Sequence, residues 1–180
     1  MDVDTVSRPA DFSRRAVALG IGSNLGSRID HMRTAARRLE RSLLAEVRYS
    51  RVYETRPARG LEQPPYLNAC CVGWTRNEPE SLLDSLKQLE WLAGRDPHAP
   101  RFASRPLDLD ILLYASEVVA TPRLTIPHAS LPERAFVLVP LAEIAGGWEH
   151  PGLGRSIGDL AADIDPTGVR VTSLAVRGGS

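Results

Sequence analysis

Between Leu107 and Tyr114 the chain reads Leu-Asp-Leu-Asp-Ile-Leu-Leu-Tyr, and this octapeptide constrains the fold more than any other segment. Its branched and aromatic residues suit a strand, in which aspartate is otherwise depleted. Residues two apart on a strand share a face, at roughly 6.7 Å between Cα atoms. Leu107, Leu109 and Ile111 then turn toward a core while Asp108 and Asp110 stand side by side on the other face. Two carboxylates so placed repel each other unless something positive lies between them.

The neighbouring segments supply the rest of a sheet. The stretch RAVALGIG from Arg15 is strand-like and ends in glycines. Ser27 and Asp30 resemble a capping box, opening a helix with an apolar stripe at Ile29, Met32, Ala36, Leu39 and Leu43. Val47–Thr55 and Leu67–Thr75 read as strands, separated by a loop with three prolines. Pro79 suits a first helical turn, Leu82, Leu83, Leu86, Leu89 and Ala93 form that helix's buried stripe, and Gly94 its C-cap. A loop with three arginines, from Arg95 to Pro106, then leads into the Asp108 strand. Beyond it, residues 116–128 read as an extended return, residues 132–145 as a partly helical segment, and Ile157–Ala162 as a turn or two of helix. The order strand, helix, strand, strand, helix, strand predicts an α+β fold of the split βαβ kind. Its sheet would have four antiparallel strands with both helices on one face, leaving the other to loops, the C-terminal extension or a ligand. Residues 15–180 are expected to form one domain behind a polar tail over residues 1–14.

Composition removes several function classes. Twenty-two basic and 22 acidic residues leave no net formal charge, which argues against a surface devoted to nucleic acid or membrane. The values of 43% hydrophobic and 24% charged are those of a folded globular chain. The longest nearly apolar run, from Ala135, carries Glu143 and is too short to cross a bilayer. No apolar run occupies the first fifteen residues, so no secretory signal is expected. Adjacent strand residues point to opposite faces, so Cys70 and Cys71 are read as two buried thiols of a reducing, cytoplasmic setting.

The charged groups near the aspartate pair suggest chemistry. Magnesium takes carboxylate oxygens together with substrate phosphates. Arg95, Arg101 and Arg105 precede the pair, and Arg123 and Arg134 follow it. Guanidinium groups grip phosphate oxygens in pairs. Together these are the parts of a phosphoryl-transfer site. A solvated edge strand, with its charges guarding against aggregation, is the plainer alternative. His128 could donate to a phosphate or be structural, and Tyr66, Asn68 and Phe136 could sandwich and read a flat heterocycle or simply pack in the core. The run GIGSNLGS lacks the ending of a phosphate-binding loop, so Gly20, Gly22 and Gly26 are read as turn chemistry between strand and helix.

Taken in order, GSNLG, YETRP…PPYLNA, RPLDLDILLY and IPH…RAFVLVPLAEIA resemble the 6-hydroxymethyl-7,8-dihydropterin pyrophosphokinases of folate biosynthesis, over roughly residues 15–150. The resemblance implies a ferredoxin-like βαββαβ core and transfer of pyrophosphate from ATP to the pterin's hydroxymethyl oxygen, releasing AMP. It implies two magnesium ions on Asp108 and Asp110, with Arg95 and Arg105 as the catalytic arginines on the ATP phosphates. Arg101, Arg123, His128 and Arg134 would complete the ATP site. Thr55, Pro57, Tyr66, Asn68 and Phe136 would form the pterin pocket, and loops around Arg59 and His98 would close over both substrates.

The chain departs from the family pattern inside the arginine loop. Pro97 stands where a further arginine is usual, Phe102 where a tryptophan is, Ala103-Ser104 where Gly-Pro is, and Pro106 where a threonine is. An active enzyme whose loop closes differently is the expectation. A metal-dependent phosphotransferase for another heterocyclic alcohol, or a binding module that does no chemistry, would also fit the residues. A monomer that engages neither nucleic acid nor membrane is expected.

Overall fold

The computed structural model describes residues 14–57, 62–100 and 103–177. The polar tail through residue 13, Arg59, Arg101 and Phe102 lie outside the described residues.

Strand β4 (Tyr66–Thr75) is buried along almost its whole length because it has neighbours on both edges. Strand β1 (Arg15–Ser23) pairs antiparallel with one edge, and β2 (Ala45–Tyr49) and β3 (Tyr53–Thr55) share the other. Strand β5 (Asp108–Tyr114) pairs with the far side of β1, and β10 (Val169–Val171) with β3. The α+β class and the antiparallel pairing are as the sequence suggests. The strand count is corrected: this sheet has six strands rather than four. The stretch read as one strand over residues 47–55 is two, broken at Ser50. The Ser50 N–H donates to the Cys70 carbonyl at 2.9 Å while its hydroxyl accepts from the Cys70 N–H at 2.9 Å, so a side chain replaces one ladder bond.

Helix α1 (Arg28–Ser42) and helix α2 (Pro79–Leu92) cover one face. Met32, Leu39, Leu82 and Leu86 pack there against Val17, Leu19, Ile21, Leu109 and Ile111. The expectation of helices on one face alone fails. Ala18, Cys70, Val72, Leu112 and Leu113 point the other way and are also apolar, so they too need cover. Helix α3 (Ala135–Ala145) and helix α4 (Ile157–Asp163) provide it with Leu138, Leu141, Ile157 and Leu160. The α4 start is capped where Ser156 Oγ accepts from the Asp159 N–H at 3.0 Å. The extended return contains a small hairpin, β6 (Val119–Ala120) with β7 (Thr125–Ile126), and a second joins β8 (Glu149–His150) to β9 (Arg155–Ser156).

The second core occupies only part of its face. The part holding Gly22, Asn68, Asp108 and Asp110 is left open and lines a cavity.

Candidate active site

The floor of the open half comes from β1. Gly22 sits in register with Asn68 of β4 on one side and Asp108 of β5 on the other, and Gly20 likewise with Cys70 and Asp110. A Cβ on Gly22 would lie 3.4 Å from Asn68 Oδ1 and 3.7 Å from Asp108 Cβ. Gly20 and Gly22 are thus strand residues whose missing side chains leave a floor, which corrects their reading as turn chemistry. Gly26, with φ +67°, does serve the turn.

Asp108 and Asp110 share the open face while Leu109 and Ile111 are buried, as the alternation requires. Asp108 Oδ1 accepts from Arg95 Nη1 at 2.6 Å and from Arg105 Nη1 at 3.1 Å. Burial raises the Asp108 pKa, but the Arg105 and Arg95 charges outweigh that and hold it below the ordinary range. Asp110 is pushed above that range, first by burial and then by the Asp108 charge. Among the described residues, one member of the pair is neutralised by arginines and the other has no comparable cation.

Arg95 arrives by a helix ending legible in the sequence. Gly94 (φ +93°) follows α2, its N–H bonding the Trp91 carbonyl at 2.9 Å and the Arg95 N–H the Glu90 carbonyl at 3.1 Å. This is a Schellman turn. It leaves Arg95 Nη1 2.6 Å from Glu90 Oε2 as well as from Asp108.

Glu90 has no counterpart in the sequence reading, which gave α2 an apolar stripe. It is 2% exposed and accepts from Lys87 Nζ at 3.0 Å and the Leu109 N–H at 2.7 Å. Burial raises its pKa against the pull of Lys87, the Leu109 N–H and Arg95. β5 is an edge strand, and Glu90 and Lys87 occupy the Leu109 N–H and C=O on that edge, Lys87 at 3.5 Å. Only a faint signal could have flagged Glu90: an acid on the inward side of α2, four residues after Leu86.

His128 Nδ1 accepts from the Ser130 N–H at 3.2 Å, which puts the proton of the neutral ring on Nε2. Nε2 is 3.9 Å from Asp110 Oδ2. The Arg134 guanidinium lies 5.7 Å from the Phe136 ring centroid. Arg123 stands apart from this group: it is ion-paired with Asp84 of α2, is exposed, and lines neither cavity described below.

Two cavities adjoin at the aspartates. One, of about 400 Å³, is lined by Thr55, Pro57, Tyr66, Asn68 and Phe136 above the glycine floor. Asn68 Nδ2 donates to Thr55 Oγ1 at 2.8 Å, leaving Asn68 Oδ1 beside Gly22. The other, of about 390 Å³, is lined by Lys87, Arg95, Pro97 and His128 among others. Arg105, Asp108, Asp110 and Arg134 belong to both. Arg56, Gln63 and Glu133 also line the first cavity; as polar residues outside any strand or α-helix they had no pattern to be found by.

The fold and site define a class: an α+β protein with paired carboxylates and converging arginines between two small-molecule cavities. Comparison with known proteins narrows it. The profile of the 7,8-dihydro-6-hydroxymethylpterin-pyrophosphokinase (HPPK) family matches residues 18–146, and the chain belongs to that family. It is 37% identical over 164 residues to a 2-amino-4-hydroxy-6-hydroxymethyldihydropteridine pyrophosphokinase of Synechocystis, covering 89% of this chain and 83% of that one. It is 39% identical over 130 residues to a folate synthesis bifunctional protein of Arabidopsis thaliana, covering 72% of this chain and 27% of the plant protein. The chain thus spans about a quarter of such bifunctional relatives. The crystal structure of Plasmodium falciparum HPPK-DHPS with pteroate matches with a TM-score of 0.67 at 16% identity, over 83% of this chain and 42% of that one, which is a likeness of fold.

Proposed function

We propose that the chain transfers the pyrophosphoryl group of ATP to the hydroxymethyl oxygen of 6-hydroxymethyl-7,8-dihydropterin, releasing AMP, in folate biosynthesis. One observation carries this reading: Arg105, Asp108, Asp110 and Arg134 line both cavities, so a group passing between occupants must pass them. The pterin oxygen attacks the β-phosphorus, the bond from that phosphorus to the α-phosphate oxygen breaks with its electrons leaving on AMP, and the hydroxyl proton is lost.

Family membership and the donor set support magnesium as the cofactor. Asp108 and Asp110 offer hard carboxylate oxygens, and among the described residues Asp110 has no close guanidinium of its own. Among the described residues no group of three or more acidic, histidine or cysteine side chains gathers, so the remaining coordination positions fall to phosphate oxygens and water, as magnesium prefers. Two ions are expected on the pair; bound there, they neutralise charge on the triphosphate.

The chain's own residues do the rest. Arg95 and Arg105, held beside Asp108, meet the phosphates; His128 presents its Nε2 proton; Arg134 contributes charge at the junction; and Arg101 belongs to the same site. Arg123 reaches a nucleotide only by leaving Asp84. Tyr66 and Phe136 stack on the heterocycle, Asn68 Oδ1 accepts from a ring N–H, and Thr55 and Pro57 complete the pocket. The sheet is a ferredoxin-like core in which β2 and β3 act as one interrupted strand and β10 is an addition. The whole of residues 15–180 acts as one monomeric, cytoplasmic domain. The free, buried Cys70 and Cys71 fit that compartment, and no described helix is long and apolar enough to cross a membrane.

AMP release tests the assignment. It is expected only when ATP, magnesium and the hydroxymethyl-dihydropterin are all present. AMP formed equally without the pterin, or with any heterocyclic alcohol, would overturn it.

A further inference from the structure

Strand β4 is entered through Pro64 and Pro65, immediately before Tyr66. Proline has no N–H, so neither residue can donate to β3, and the β3–β4 ladder closes at the Thr55–Tyr66 pair. Beyond that pair a hold comes from the helix layer instead. Arg28, the first residue of α1, donates from Nη1 to the Pro65 carbonyl at 2.7 Å. The same nitrogen donates to Glu54 Oε2 at 3.2 Å. A charged donor makes such contacts stronger than those between neutral groups.

The two partners are the chain neighbours of two residues of the first cavity. Glu54 precedes Thr55 and Pro65 precedes Tyr66, and Thr55 and Tyr66 are themselves in register. Residues alternate faces along a strand, so Thr55 lines the cavity while Glu54 turns to the α1 side. Arg28 thus grips the edge of the cavity from behind the sheet and lines neither cavity itself. The other Glu54 oxygen, Oε1, is 3.2 Å from Arg170 Nη2 of β10, so the carboxylate that orients Arg28 is held on its second side as well. With the side chains of Arg28 29% and Glu54 27% exposed, the pair is shielded from much of the screening that weakens surface ion pairs.

We propose that Arg28 is a positioning residue for the pterin: by fixing the Pro65 carbonyl against Glu54, it sets where the Tyr66 ring stands beside Thr55. This rests on the proposed function and concerns the first cavity alone. The test is AMP formation by the full chain at saturating ATP and magnesium with the pterin varied, beside calorimetry of a non-hydrolysable ATP analogue with magnesium. Arg28→Met keeps the aliphatic stem and loses both bonds. It is expected to raise the pterin KM about tenfold, the effect of one lost charged hydrogen bond, with kcat and analogue binding within about twofold. Arg28→Lys is expected to restore most of the KM, because both bonds come from one nitrogen and need no guanidinium fork. A residue that merely stabilised the fold would move the thermal midpoint and both ligands together. Glu54→Gln leaves Arg28 in place but removes the charge that orients it. It is expected to raise the same KM about threefold, and it decides the matter if Arg28→Met does not fold. An unchanged pterin KM in Arg28→Met, or no recovery in Arg28→Lys, would overturn the role of Arg28. The wild-type chain keeps the two readings apart: if it forms no AMP, the function and this role both fall, whereas AMP formation with the pterin KM unmoved in the variants removes only the role of Arg28.

Discussion

Asn68 and Asp108 face the same residue, Gly22, from opposite sides of β1. One belongs to the cavity lined by aromatics and the other to the aspartate pair, and no side chain rises between them. The proposed pterin acceptor and the aspartate proposed to meet the triphosphate are therefore held at a spacing set by two steps across a sheet.

Filling that gap should abolish activity without harming the sheet. Gly22→Val suits a strand backbone, but its methyl groups would press on Asn68 Oδ1 and Asp108 Cβ, already 3.4 and 3.7 Å from a bare Cβ. AMP formation is expected to fall at least about 100-fold, an energetic loss of roughly 3 kcal/mol, with the circular dichroism spectrum unchanged. Gly22→Ala should fall between the two.

Asp110→Ala should remove catalysis while sparing the fold. If Asp110 holds a cation as proposed, losing its carboxylate should lower kcat by at least about 1000-fold. Asp110 is strained in its charged form by burial and by Asp108, so the thermal midpoint is expected to stay level or rise. Chelation of magnesium with EDTA should silence the wild-type chain in the same assay.

Glu90 should act on one cavity only. Glu90→Gln withdraws a carboxylate from Arg95 and Lys87 but can still accept from the Leu109 N–H. Calorimetry is expected to show the ATP analogue binding about tenfold more weakly, from one weakened charged contact, and the pterin pocket unaffected within about twofold.

Glu143 offers a pH test away from the site. It accepts from the Arg51 N–H at 2.9 Å, from Arg51 Nε at 2.6 Å and from the Tyr53 hydroxyl, clasping α3 to the β2–β3 junction. Burial pushes its carboxyl up, but Tyr53 and Arg51 outweigh that and hold it below the ordinary 4.5. A lowered acid contributes stability above its unfolded pKa and loses it as pH falls through the folded one. Tyr53, pushed up to about 12, first by burial and then by Glu143, remains a donor throughout. Glu143→Gln should melt on the order of 2–6 °C lower at pH 7, and the gap should close as the pH drops below 4.5.

Several of these features are legible in the sequence. Alternation in Leu107–Tyr114 placed both aspartates on one face because strand periodicity is a local property of the backbone. Pro79 and Gly94 marked the ends of α2 for equally local reasons, and the motif order named five residues that line the first cavity. What failed was non-local. Ser50 breaks its strand through a bond to Cys70, twenty residues away. Arg123 turns to Asp84 because helix α2 passes beside it.

The sequence by itself thus determined the main strands, the inward stripes of α1 and α2, and the shared face of Asp108 and Asp110, since these follow from propensity and periodicity within short windows. Only the tertiary structure decided that Gly20 and Gly22 are a floor, that Glu90 is buried against an edge strand, and that Ser50 interrupts a strand. Each of those roles depends on what lies across the sheet or behind the loop, and sequence separation carries no record of distance in space.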